Sequence, residues 1–398
     1  MSNSRIAEAI TLMQGFAERT GLSAGHPARR YLWTDAFAVC NFLSLAQATG
    51  EHHYTTLALR LVDQVHHTLG RHRDDDPRSG WLSGLNEHAG ELHPTRGGLR
   101  IGKEQPERGP DQPLDERLEW ERDGQYFHYL TKWMHALDQV THTTGQPGFN
   151  LWARELAKTA FDAFTYLPSP KRPRRMVWKM SIDLTRALVP AMGQHDPLDG
   201  YITCRELLST AIALPTPFVG PKLGKEIRQF AEMLDKSTWT TADPLGIGGL
   251  LSDAYRMAGL LVPGAKTDNQ FLENLLAAAL SGVQDYADNN ELQRPAEYRL
   301  AFRELGLAVG LRAVEHLLQA ADSKTTRSST WPKRRTLLQA LLQYFPMADE
   351  IESFWRNPEH RNTDAWSVHR DINEVMLATS LAPEGFLRKK ALLPAEPA

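Results

Sequence analysis

Ala48-Thr49-Gly50, followed four residues later by Tyr54 and then by Ala58, Leu61 and Val65, returns as Thr144-Gly145, Phe149, Ala153, Leu156 and Ala160 at the same offsets. A glycine closing an apolar helical pattern takes the left-handed conformation that stops a helix, and an aromatic residue one turn later can pin the returning helix against the first. The spacing predicts two copies of one helical hairpin, the unit of a repeat architecture.

Outward from these two copies, apolar residues recur at helical spacing in nearly every segment, with no alternating strand pattern. Helices are predicted over 3–20, 32–48, 54–70, 123–143, 149–166, 197–213, 222–235, 244–260, 268–286, 298–319, 329–344 and 368–381. The turns within hairpins (49–53, 144–148, 214–221, 261–267) are short. The links between hairpins (21–31, 71–122, 167–196, 287–297, 345–367) are longer and rich in polar and aromatic residues, whereas 236–243 is short but holds Trp239 and Asp243. In a ring of antiparallel hairpins, links of one kind emerge on one face, so the elaborate ones would surround a shared mouth. An open solenoid would show a fixed period and uniform loops, which these links lack. The expectation is an all-α chain forming one domain over 1–398, an (α/α)6 toroid of six helical hairpins with a long active-site link at about 71–122.

Composition narrows the function classes. With 41% hydrophobic and 23% charged residues, the chain can build a sizeable core and does not read as disordered. A formal charge of −3 gives no strong field for nucleic acid or an anionic membrane. The basic run Lys171-Arg172-Pro173-Arg174-Arg175 lacks interleaved aromatics and reads as a solvated loop. Without an export signal or a run of about 18 apolar residues, a cytoplasmic location is expected. Cys40 and Cys204 sit in apolar helical patterns and read as buried thiols. His72-Arg73-Asp74-Asp75-Asp76 lacks ligand spacing on a rigid element, and Gly246-Ile247-Gly248-Gly249 has Leu251 where a dinucleotide fingerprint needs its third glycine. Neither metal nor cofactor is expected.

Arg30-Tyr31-Leu32-Trp33-Thr34-Asp35-Ala36-Phe37, taken with the Ala-Thr-Gly turn, Tyr54 and its Ala/Leu-rich return helix, resembles the (α/α)6-barrel carbohydrate enzymes. These are the six-hairpin glycosidases and the N-acylglucosamine 2-epimerase type. The resemblance implies sugar chemistry and assigns no catalytic residue.

Candidate residues come from the links. The long link carries Trp81, Arg100, Lys103, Asp115, Glu119, Trp120 and Asp123, and ends at Gln125 and Tyr126. Its tryptophans would stack on sugar rings, Arg100 and Lys103 would hold hydroxyl or carboxylate groups, and the acids would transfer protons. A second group is Trp178, Lys179 and Asp183 with Gln194, His195, Asp196 and Asp199, where Asp196 before Pro197 also has the form of a helix N-cap. His369 at the last predicted helix is a titratable candidate, Trp33 and Asp35 open the first inner helix, and Arg299 precedes another. The pattern favours a glycoside hydrolase with paired carboxylates, Asp123 or Glu119 facing Asp196, acting on a small-molecule or oligosaccharide substrate. One alternative is a sugar epimerase using His195 and His369 as a proton-transfer pair. Another is a non-catalytic helical module that binds a sugar or a partner protein.

Overall fold

A computed structural model describes residues 3–23, 25–170, 172–215, 219–234, 238–261, 266–323 and 331–387. Lys171 of the basic run, and 329–330 of a predicted helix, lie outside them. In chain order the elements are α1 (Asn3–Arg19), α2 (Leu32–Thr49), α3 (His52–Leu69), α4 (Glu87–Leu92), α5 (Glu116–Glu119), β1 (Gln125–Tyr126), α6 (Phe127–Thr144) and α7 (Pro147–Phe164). There follow β2 (Thr165–Tyr166), β3 (Arg175–Met176), β4 (Lys179–Met180), β5 (Ala187–Val189), α8 (Asp196–Ala213) and α9 (Gly224–Leu234). The remainder is α10 (Pro244–Gly259), α11 (Lys266–Asp288), α12 (Ala301–Ser323), α13 (Trp331–Leu342), α14 (Phe345–Arg356), α15 (Asp364–Ser367), α16 (Arg370–Leu381) and α17 (Glu384–Leu387). No helix among the described residues is long and apolar enough to cross a membrane.

The described residues divide into two compact units, one within 17–234, the other of 3–16 and 238–387. In the first, α2 with α3, α6 with α7 and α8 with α9 form successive hairpins. The repeated turn works as its residues require: Gly50 (φ 75°) and Gly145 (φ 71°) are left-handed caps whose N–H groups donate to Ala46 O and Thr141 O. Tyr54 is buried behind the first turn, and Ala58, Leu61 and Val65, like Ala153, Leu156 and Ala160, are fully enclosed on the return helices. In the second unit, α10 pairs with α11 and α12 with α13, α14 and α16. A Cβ on Gly248 would run into the Gly306 backbone, and one on Gly310 into the Gly248 backbone, so the glycine-rich segment serves helix contact.

The predicted link 345–367 is corrected: it contains α14. Its buried Ala348, Ile351, Glu352 and Trp355 fall at helical spacing behind a proline in the first turn. Strands also occur, as a three-stranded sheet in the order β1-β4-β5 and a β2-β3 pair. At two or three residues each, they are too short to display alternation. For the same reason the helix predicted from 123 begins at Phe127, the residues before it being spent on β1.

Candidate functional site

The long link owes its order to buried ion pairs. Asp123, fully buried, accepts from Arg100 (2.7 Å) and Arg73 (3.3 Å) through one oxygen and from the N–H groups of Gly102 and Gly124 (3.0 Å each) through the other. Arg100 also donates to Thr68 O and Arg71 O, tying the link to the end of α3. Lys179 pairs with Glu119 (2.9 Å) and donates to the carbonyls of Glu119 and Arg122, while Arg108 takes the other Glu119 oxygen at 2.9 Å. Gln125 bridges Leu99 N, Gly97 O and Ile182 O. Every carboxylate here has its partners, so the cluster is a scaffold whose parts stand or fall together.

Where β1 passes into α6, a different arrangement begins. Tyr126 pairs in register with Lys179 of β4, which brings Trp178 beside Tyr126 at a ring separation of 5.5 Å. The first two turns of α6 then carry His128, Thr131 and Lys132 toward Asp199 of α8, while Tyr129 meets Tyr31. Lys132 Nζ lies 2.9 and 3.1 Å from the two oxygens of Asp199, and Thr131 Oγ1 lies 3.4 Å from one of them. The Lys132 side chain is 19% exposed, so solvent reaches this edge of the cluster.

Asp196, one turn before Asp199 on α8, does not act as the cap that its sequence suggests. His195 holds the cap position, and the Asp196 carboxyl turns back over Gly193, leaving Oδ2 without a hydrogen-bond partner. Burial, reinforced by the neighbouring Asp199 charge, pushes Asp196 up to about 7, against the opposing pull of the Gly193 N–H and Lys132. His128 is driven the other way, down to about 4, chiefly by burial. Trp178 Nε1 donates to His128 Nδ1 at 3.3 Å, which assigns the ring proton to Nε2. Between about pH 4 and 7 the cluster therefore contains a carboxylic acid, an Asp–Lys ion pair and a neutral imidazole with a donor to spare.

An aromatic wall flanks it. Trp120, 49% exposed, stands edge-on to Trp178 at 4.8 Å, and Trp178 stacks on His128 at 6.0 Å. Tyr126 meets Tyr129 at 5.2 Å, and the hydroxyls of Tyr129 and Tyr31 are 2.7 Å apart. Lys103 Nζ rests 5.5 Å from the Tyr31 ring centre. Indole and phenol rings beside proton donors and acceptors are the means by which a protein grips a sugar, through its C–H face and its hydroxyls.

The other candidates lie elsewhere in the fold. Trp33 packs on Phe37, and Asp35 is buried against Arg30 and the Tyr31 N–H, at the start of α2. Trp81 is buried beneath the Arg71 guanidinium at 4.4 Å. Asp115 caps α5 through the N–H groups of Arg117 and Leu118. Asp183 folds its loop through Ser181, Thr185 and Arg78. Gln194 is exposed just before His195. Arg299 and His369 belong to the unit holding 238–387: Arg299 forms a two-pronged pair with Glu304 over the Phe354 ring, and His369 is exposed beside Phe302. Sequence reasoning passed over His128, Tyr129, Lys132 and Tyr31. The signal was present: His128, Thr131 and Lys132 sit three and four residues apart on a helix whose Phe127, Leu130, Trp133 and Met134 are buried.

Neither the family models nor the curated proteins contain a match to this chain. Among solved structures it is similar to a GH76 alpha-mannanase of Bacteroides thetaiotaomicron, with a TM-score of 0.54 and 8% identity over 94% of this chain and 96% of that one. At that identity the likeness speaks for the fold alone, and the fold is the all-α (α/α)6 arrangement of six helical hairpins.

Proposed function

We propose that the chain is a glycoside hydrolase whose acid is Asp196 and whose second carboxylate is Asp199. The observation that carries this reading is a buried carboxyl with an unpartnered oxygen and an affinity for its proton raised to about 7, one helical turn from a carboxylate held by Lys132. Likeness in fold to an alpha-mannanase supports a carbohydrate as substrate. Asp196 enters the reaction protonated and gives its proton to the glycosidic oxygen as the C–O bond breaks.

Residues three apart on a helix have Cβ atoms about 5–6 Å from one another, which suits the close carboxyl separation of about 5–5.5 Å used in retaining hydrolysis. Asp199 would then attack the anomeric carbon and form a glycosyl ester. Asp196, now a carboxylate, would take a proton from the water that cleaves that ester, returning both groups to their starting states. Lys132 serves both halves, since its ammonium is freed to face the new Asp196 charge when Asp199 becomes neutral. The donor at His128 Nε2 is suited to a substrate hydroxyl, and Trp120 and Trp178 offer ring faces.

The test is a screen of α- and β-linked di- and oligosaccharides, mannosides included, with the anomer of the first product read by proton NMR. Retained configuration and loss of turnover in both Asp196→Asn and Asp199→Asn are expected. Unchanged turnover in either variant overturns the assignment, and no hydrolysis across the panel overturns the hydrolase reading.

A further inference from the structure

We infer that the substrate carries a carboxylate, in the manner of a uronic acid residue, and that Lys103 receives it beside the Tyr31–Tyr129 hydroxyl pair; this rests on the hydrolase reading above. Three cations around the site have carboxylate partners: Lys132 with Asp199, Lys179 with Glu119, and Arg100 with Asp123. Lys103 does not. Its Nζ makes no hydrogen bond or ion pair among the described residues and faces only the Tyr31 ring, although the residue is half-buried. The Nζ keeps its contact with solvent and has no carboxylate of the described residues beside it, so its charge is available to an incoming anion.

The backbone at Lys103 is also held in place. The Gly102 N–H donates to Asp123 Oδ1 at 3.0 Å, and the Lys103 carbonyl accepts from Arg73 at 2.6 Å. Gly102, at φ 93°, lies against the Arg30 carbonyl, where a Cβ would not fit. The nearby carboxylates do not answer Lys103: both Asp123 oxygens are already engaged, and Glu121, whose charge reaches Tyr31, is exposed and forms no ion pair with it. Lys103 and Lys179 are close enough to repel, so the local balance favours an incoming anion. From Tyr31 a row of side chains leads through Tyr129 to His128, at 4.8 Å, and toward Asp199, whose charge acts on His128. A sugar ring lying along these aromatics with an anionic group at the Lys103 end satisfies both features at once.

The experiment is calorimetric titration of the full chain carrying Asp196→Asn, which prevents turnover, with disaccharides ending in glucuronate, galacturonate or mannuronate and with their neutral counterparts. At least one uronate should bind about tenfold more tightly than its neutral partner, a difference of about 1.4 kcal/mol that shrinks with added salt. Adding Lys103→Met should abolish the preference, while Lys103→Arg should retain most of it. Equal or tighter binding of the neutral members, or a preference that survives Lys103→Met, overturns the inference and leaves the hydrolase reading intact. Silence toward every sugar of both classes removes that reading and this one together.

Discussion

Two groups of buried acids lie within one unit of the chain, and they are built on opposite principles. In the long link, Asp123 meets guanidinium and N–H donors through both oxygens, and Glu119 has Arg108 on one oxygen and the Lys179 ammonium 2.9 Å from the other. At the start of α8, Asp196 is buried too, yet one of its oxygens, packed over Gly193, has no hydrogen-bond partner, and its nearest charged neighbour on the helix is another acid. A carboxylate enclosed by guanidinium and backbone N–H donors, as Asp123 is, serves structure. An unsatisfied one is costly to bury, and the cost shows as a proton retained near neutral pH. Burial alone did not distinguish the two; the charges beside them did.

The largest expected effects come from exchanging the roles. Asp123→Asn leaves Arg100 and Arg73 without their shared counter-charge and should cost about 3–5 kcal/mol of stability, read as a lower urea midpoint. Asp196→Asn should leave that midpoint unchanged or raised at pH 8, while lowering kcat by about 10²–10⁴. A stable, inactive Asp123→Asn together with an unstable, active Asp196→Asn would reverse the assignment.

The next effect concerns pH. Because the Asp196 pKa is raised on folding from its usual 3.8 to about 7, the native state holds an extra proton between those values. Its stabilising contribution is complete below about pH 4 and is lost as pH rises through 7, by at most about 4 kcal/mol at about 1.4 kcal/mol per unit. The difference in unfolding free energy between wild type and Asp196→Asn should therefore fall across that window and level off above it. A difference flat in pH would mean that Asp196 is ionised in the folded protein throughout. The same proton sets the alkaline limb of kcat/KM near 7. Lys132→Met, which removes a cation that holds the Asp196 pKa down, should move that limb upward.

How much of this could be read beforehand depended on the range of the interaction involved. The hairpins were legible because a glycine stop, an aromatic one turn later and an apolar stripe are local signals, and Gly50, Tyr54 and Val65 do what their spacing implies. β1 was not, because two residues make a strand only through their partners in β4, more than fifty positions away. The candidate site divides along the same line. Trp178, Asp196 and Asp199 stood out as polar or aromatic residues in a link or at a helix start. Asp123 and Glu119 stood out equally, and nothing local announced that Arg100, Arg73 and Lys179 would occupy them. His128 and Lys132 escaped because they lie inside a helix, where polar residues ordinarily face solvent, and only the approach of α8 turns them toward Asp199.

The smallest expected effect sharpens the contrast through two tryptophans. Trp178→Phe keeps an aromatic ring beside Tyr126 and removes the single donor that fixes the His128 proton on Nε2. A lost neutral hydrogen bond is worth about 1 kcal/mol, so kcat/KM should fall by about fivefold with the melting temperature nearly constant. The alkaline limb should stay where it is, because neither Trp178 nor His128 is among the groups that set the Asp196 proton affinity. Trp81→Phe, on the long-link side, trims a ring beneath Arg71 in the interior of the link and should lower the melting temperature while leaving kcat/KM unchanged. If Trp178→Phe instead behaves like Trp81→Phe, losing stability and keeping activity, then His128 is a scaffold residue and the working cluster contracts to Lys132, Asp196 and Asp199.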